Sequence, residues 1–312
     1  MLRFVIAVAV SSFVFGCKPL PPEVPSTLGV PAAPLAETFR RPVAATLTPL
    51  VTGEIQVDRS LLLDLKNPAL ADATDAKVWV PVLAWLYQHP TRGAWLIDSG
   101  FDASFAESGH GNFQGLAVLA DFARQPKGHD VAALVRQAGV EPSALKGVLM
   151  THLHSDHTAG LPALPGVEVF AGAGALAGFE SDVVATVTHL DAVPRINTFD
   201  LSVGTPSVAG NTLDVFGDGA LLAVDTAGHT AGHLSFIVNL EGGPVLLTGD
   251  ASHSQVGFEA GVAPGKVADR AGADATLARL RAFAAAFPSA RVYFGHEAGQ
   301  HDVGAGAQAP LR

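Results

Sequence analysis

Cysteine is almost absent from the 312-residue chain, with one at position 17. A single thiol excludes an intramolecular disulfide framework and a cysteine-based zinc site. Positive charge is also scarce: 19 Lys and Arg stand against 29 Asp and Glu, for a net charge of −10. No Lys/Arg-rich block occurs, so the electrostatic footprint of a nucleic-acid binder is missing and no nucleic-acid partner is expected. Only 15% of residues are charged while 48% are hydrophobic. That balance excludes a disordered polymer and leaves ample material for a buried core. Beyond the first seventeen residues no apolar run is long enough to cross a bilayer, and no internal repeat is visible. Against these absences stand 12 histidines, and their spacing directs the rest of the reading.

The chain opens MLRFVIAVAVSSFVFGC. Arg3 precedes an apolar stretch from Phe4 to Phe15, shorter than the roughly 20 residues of a spanning helix, which is the pattern of a signal peptide. Val14-Phe15-Gly16-Cys17 resembles the bacterial lipobox, in which the cysteine is lipidated and becomes the mature N-terminus. A signal peptide over 1–16 is therefore expected, with membrane attachment through a lipidated Cys17. Lys18 takes the place of the Asp associated with inner-membrane retention, which directs the expectation to the outer membrane facing the periplasm, or to the cell surface. Residues 17–45 are rich in Pro and Ala without a period and are expected to be a tether. That leaves 46–312 as the folded catalytic domain.

Within it, short β-like runs alternate with helical ones. Val78 to Leu86, Ala94 to Ile97, Gly147 to Met150, Leu221 to Asp225, Leu234 to Leu240, Val245 to Thr248 and Arg291 to Phe294 read as strands. Asp130 to Ala138 and Ala275 to Phe287 show helical spacing, stopped by Gly139 and Pro288, and Pro142 to Leu145 is a helical turn. Several strands end in polar residues, which is where α/β folds place their sites.

The strand ending at Met150 runs straight into Thr151-His152-Leu153-His154-Ser155-Asp156-His157, an H-x-H-x-D-H motif. Four imidazole and carboxylate groups within six residues at a strand end are hard to explain by packing. They suit a borderline cation such as Zn²⁺.

At this point the sequence resembles the metallo-β-lactamase superfamily, over roughly Leu47 to His301. The resemblance implies an α/β fold, a four-layer αβ/βα sandwich with metal between the sheet edges. Asp98 in LIDSG resembles the early strand-end Asp that supports the site without binding metal. His229 in TAGHTAGH, Asp250 in LLTGD and His296 in VYFGHE resemble later ligands. By position, His152, His154 and His229 would hold one metal and Asp156, His157 and His296 another, with Asp250 bridging. Two divalent ions are implied, zinc first, with iron, manganese or cobalt as alternatives. Two carboxylates offset part of their charge, and a bridging hydroxide, formed because coordination lowers the pKa of water towards about 7, would be the nucleophile. His233 reads as structural support for the site. His89, His110, His129 and His189 lack a motif and read as surface or loop residues, while His301 could neighbour the site.

Fold alone does not settle the reaction. The bridging Asp250 argues against β-lactamases, which lack a metal-bridging carboxylate there. The closest resemblance is to the N-acyl homoserine lactonase-like group, through VTGEIQVDRSLLLDLKN at 51–67, GVLMTHLHSDHTAGL and LLTGDAS. The implied activity is attack of the bridging hydroxide on a small-molecule lactone or ester carbonyl, with Asp250 or Asp156 moving the proton. Alternatives from the same superfamily are a glyoxalase II-like thioesterase and a mononuclear iron persulfide dioxygenase. The latter acts on thiol metabolites found chiefly inside cells, whereas this chain reads as exported. Lactonases commonly carry tyrosine three residues after the bridging Asp, but here the position is His253. As a catalytic candidate, His253 can donate a hydrogen bond and, if protonated, stabilise an oxyanion or protonate a leaving oxygen. Phe101, Phe105, Phe113 and Phe122 lie in a long insertion. They could form a lid for an acyl chain or simply pack that insertion onto the sandwich.

Overall fold

Strands that are apolar at every position must be covered on both faces. The computed structural model, which describes residues 19–180 and 187–312, shows how this chain covers them. From the N-terminus the strands are β1 (Glu23–Pro25), β2 (Val30–Pro31), β3 (Thr46–Asp58), β4 (Lys77–His89), β5 (Gly93–Ile97), β6 (Ala123–Arg124), β7 (Val148–Leu149) and β8 (Val169–Gly172). They continue as β9 (Ile196–Phe199), β10 (Thr205–Ser207), β11 (Gly210–Asp214), β12 (Leu221–Asp225), β13 (Leu234–Leu240), β14 (Gly243–Leu247) and β15 (Arg291–Tyr293). One sheet runs β1-β9-β8-β7-β5-β4-β3-β6, and the other β10-β11-β12-β13-β14-β15 with β2 against β11.

Alternation along β12 assigns the layers. Leu221 and Ala223 join Trp85, Tyr87, Ile97 and Phe170 of the first sheet in the core between the sheets. Leu222 and Val224, on the opposite face, pack with Leu277, Leu280 and Phe283 of the helix Arg270–Ala286. On the far side of the first sheet, Leu86, Leu96 and Val148 pack on Val131, Leu134 and Val135 of the helix Val131–Gln137. The order is helix, sheet, sheet, helix, the αβ/βα sandwich expected. Among the described residues no helix is long and apolar enough to cross a membrane.

The expected signal peptide and Cys17 lie outside the described residues. The expected tether differs from what is found, because the chain from 19 to 45 lies on the folded body. β1 pairs in parallel with β9, and β2 antiparallel with β11. The Glu23 carboxylate accepts from the Gly174 and Leu176 amides, and Ala32 and Leu35 are buried against the second sheet. Asn239 clamps the same segment by donating to the Thr38 and Arg41 carbonyls. Proline is tolerated in edge strands, where it spoils no inner ladder, so a Pro/Ala-rich composition does not prevent docking.

The phenylalanines of the insertion form a packed cluster and no lid. Phe101 and Phe105 stack with centroids 3.7 Å apart, and Phe113 meets both edge-on. All three are buried with Val82, Ala123 and Ala159, and Phe122 packs on them partly buried.

Candidate metal centre

Every residue of the predicted cluster follows a strand end. Asp98 comes after β5, the H-x-H-x-D-H loop after β7, His229 after β12, Asp250 after β14 and His296 after β15. The two sheets are tied at this edge by the Leu234 amide, which donates to the Thr151 carbonyl at 2.7 Å.

Asp250 is the pivot. Its Oδ2 lies 3.6 Å from His152 Nε2 and 3.4 Å from His229 Nε2. Its Oδ1 lies 3.5 Å from His157 Nε2 and 3.4 Å from His296 Nε2. His154 Nδ1 faces His229 Nε2 at 3.1 Å on the first side, and Asp156 Oδ2 lies 3.4 Å from His296 Nε2 on the second. His152, His154, His229 and Asp250 therefore present ligand atoms within 4.8 Å of one another, and so do Asp156, His157 and His296. The sequence-predicted residues converge as two groups sharing one carboxylate.

The polar atoms at the centre fit a cation. His152 Nε2, His157 Nε2 and Asp250 Oδ1 are buried without a hydrogen-bond partner, a costly state for such groups. Their electrostatics pull apart. Burial, then the neighbouring His157 and His154, pushes His152 well below the usual histidine range. Burial also lowers His157, but Asp250, Asp98 and Asp156 outweigh it and hold the ring well above that range. Burial would raise Asp250, yet the surrounding imidazoles, His253 first, keep it well below the ordinary carboxylate value. Nitrogen and oxygen donors in this number suit a divalent metal such as zinc. His154 and Asp156 are only half-buried and mark the open side.

The outer contacts orient the ligand atoms. Asp98 accepts from the Thr151 amide at 2.7 Å, from Thr151 Oγ1 at 2.8 Å and from His157 Nδ1 at 2.9 Å. With its hydrogen given to Asp98, Thr151 Oγ1 accepts from His152 Nδ1 at 3.1 Å. One carboxylate thus sets two rings with Nε2 facing inward. His296 is set likewise, its Nδ1 donating to the Pro81 carbonyl at 2.8 Å. Asp98 occupies a left-handed backbone conformation at φ 54°, alone among the described non-glycine residues. His233, held neutral by burial with its pKa lowered to about 3, accepts from the Asp250 amide and fixes that turn.

Sequence reasoning missed Thr151, although it stands inside the motif, because hydroxyl relays leave no spacing signal. It also missed the Pro81 carbonyl, for which no side-chain signal exists. Two of the histidines read as surface or loop residues are buried. His89 faces Asp218 at 3.0 Å, and His189 joins Thr158 Oγ1 to Asn112 at 2.9 Å on each side. His301 lies against the rings of Trp85 and Tyr293, outside both ligand groups.

The sequence profile described as "Metallo-beta-lactamase superfamily" matches residues 78–296. "N-acyl homoserine lactonase AttM" of Azorhizobium caulinodans is 28% identical over 255 residues, covering 76% of this chain and 90% of that protein. A solved structure of an N-acyl homoserine lactone hydrolase, with the product N-hexanoyl-L-homoserine at its catalytic metal centre, superposes with a TM-score of 0.66 at 22% identity. It covers 83% of this chain and 95% of that one. AidC, a dizinc quorum-quenching lactonase, superposes at 0.60 with 15% identity over 85% of this chain and 90% of its own.

Proposed function

The chain belongs to the metallo-β-lactamase superfamily and is a metallo-hydrolase, and from that premise we propose that it opens lactones, N-acyl homoserine lactones first, at a two-metal centre. The observation that carries the proposal is the Asp250 carboxylate, whose two oxygens face two separate histidine groups. His152, His154 and His229 would hold one divalent ion, zinc first, and Asp156, His157 and His296 the other, with Asp250 available to both. The similarity to AttM over 90% of that protein's length supports the substrate class.

Bound divalent ions supply positive charge for a developing oxyanion and lower the pKa of water towards about 7. The chain supplies the rest. Lactone opening adds water across the carbonyl, breaks the ring C–O bond and returns a proton to the ring oxygen. Asp250 or Asp156 is the carboxylate that carries that proton. Asp156, like His154, is half-buried at the open side of the site. Asp98, Thr151 and the Pro81 carbonyl keep three imidazoles in the ligating tautomer, so the site is preorganised before substrate arrives.

The test is hydrolysis of an N-acyl homoserine lactone by the zinc-loaded chain, beside Asp250→Asn and beside the thioester S-lactoylglutathione. Fast lactone opening, lost in the variant, is the expected result. Thioester turnover without lactone turnover would move the substrate assignment to the thioesterases. The proposal extends to location: Cys17→Ser is expected to shift the chain from the membrane to the soluble fraction.

A further inference from the structure

One buried imidazole has no part in that assignment. His253 follows Asp250 in the same turn, and its Nε2 lies 3.1 Å from Asp250 Oδ2. Asp250, His253 and His296 form a third group whose ligand atoms lie within 4.8 Å of one another. The His253 carbonyl accepts from the His296 amide at 3.0 Å, so the two residues are locked side by side, their rings 5.4 Å apart.

The orientation of the ring is set from outside the cluster. His253 Nδ1 lies 3.1 Å from the carbonyl oxygen of Leu62, at the end of the short helix Arg59–Leu62 that follows β3. A carbonyl oxygen only accepts, so Nδ1 carries a hydrogen and Nε2 is the atom turned towards Asp250. His157 is set by Asp98 and His296 by Pro81 in the same manner. Histidines that bind metal characteristically give their other N–H to a carbonyl or carboxylate. His253 Nε2 faces Asp250 Oδ2 at 3.1 Å in the same arrangement.

We propose that His253 is an additional metal ligand of this centre, through Nε2, in the group it forms with Asp250 and His296. The inference rests on the two-metal reading above. It adds an imidazole to the centre and so predicts that one of the two ions is held more firmly than its other ligands alone would hold it.

The test measures metal, not turnover. The full chain is loaded with zinc and challenged with a chelator, and the zinc remaining per chain is followed by mass spectrometry for wild type, His253→Asn and His253→Phe. The asparagine amide preserves a donor to Leu62 and lacks a group at the Nε2 position, so it separates ligand loss from packing loss. Wild type is expected to release its two ions slowly, whereas both variants release one at least ~10-fold faster and keep the other. The visible spectrum of the cobalt-loaded chain is expected to change in both variants. If His253→Asn folds and keeps wild-type release and spectrum, His253 is not a ligand and the proposal is overturned, even if His253→Phe loses metal. If wild type itself takes up one ion only, the two-metal reading falls and the proposal with it.

Discussion

Asp98→Asn replaces one buried oxygen by an amide of the same shape, and asparagine tolerates the left-handed φ of 54° as aspartate does. Backbone strain is therefore unchanged and only hydrogen bonding is tested. In the wild-type site Oδ1 accepts from the Thr151 amide, while Oδ2 accepts from Thr151 Oγ1 and His157 Nδ1. If the new NH₂ takes the Oδ1 position, it meets a backbone N–H and leaves two buried donors opposed. If it takes the Oδ2 position, His157 must accept at Nδ1 and carry its hydrogen on Nε2, the atom that faces Asp250. A buried donor left unmatched costs about 1–3 kcal/mol. The first orientation takes that from folding stability, and the second weakens metal binding by about 10- to 100-fold. Chemical denaturation of the metal-free chain and zinc titration against a chromophoric chelator measure the two losses separately. Unchanged stability together with zinc affinity within about twofold of wild type would refute the claim that Asp98 orients the site.

Three further outcomes are expected. A Cβ at Gly295 would lie 2.4 Å from Asp250 Oδ1 and 2.8 Å from the Gly249 carbonyl. Gly295→Ala should therefore displace the Asp250 carboxylate and weaken zinc binding at least ~10-fold in the same titration, with a stability loss of about 1–3 kcal/mol. Burial lowers His301 to about 4, below the ordinary 6.5. Its folded-state pKa is depressed, so the full stability is present above pH 6.5 and falls away as the pH drops towards 4. The loss attributable to this residue is about 3 kcal/mol at most, and His301→Leu should flatten the denaturation free energy of the metal-free chain across that window. Phe113→Ala opens the ring cluster under the insertion and should cost about 3–5 kcal/mol in thermal or denaturant unfolding, with acyl-chain preference unchanged. A shifted chain-length preference at unchanged stability would restore the lid.

The convergence of the candidate ligands was legible because metal binding constrains residue type and spacing together. His152, His154, Asp156 and His157 share one loop, and His229, Asp250 and His296 each follow an apolar run recognisable as a strand. Seven groups from four loops meet because their strands end at the same edge of two packed sheets. Which side of β12 faces which layer was visible only in the structure, where Leu221 and Ala223 face one core and Leu222 and Val224 the other.

Other features depend on groups that composition and spacing do not record. The Pro/Ala-rich stretch reads as a spacer until β9 and β11 offer it free edges. His89 and His189 carry no motif, and their burial goes with partners such as Asp218 for the first and Thr158 and Asn112 for the second. The sequence by itself determined which side chains could hold metal and that they would gather at strand ends, since hydropathy and ligand chemistry are properties of residues. Tertiary structure alone decided which ring nitrogen faces inward, because that depends on acceptors from distant segments. Pro81 for His296, Asp98 for His157 and Leu62 for His253 are brought there only by the fold.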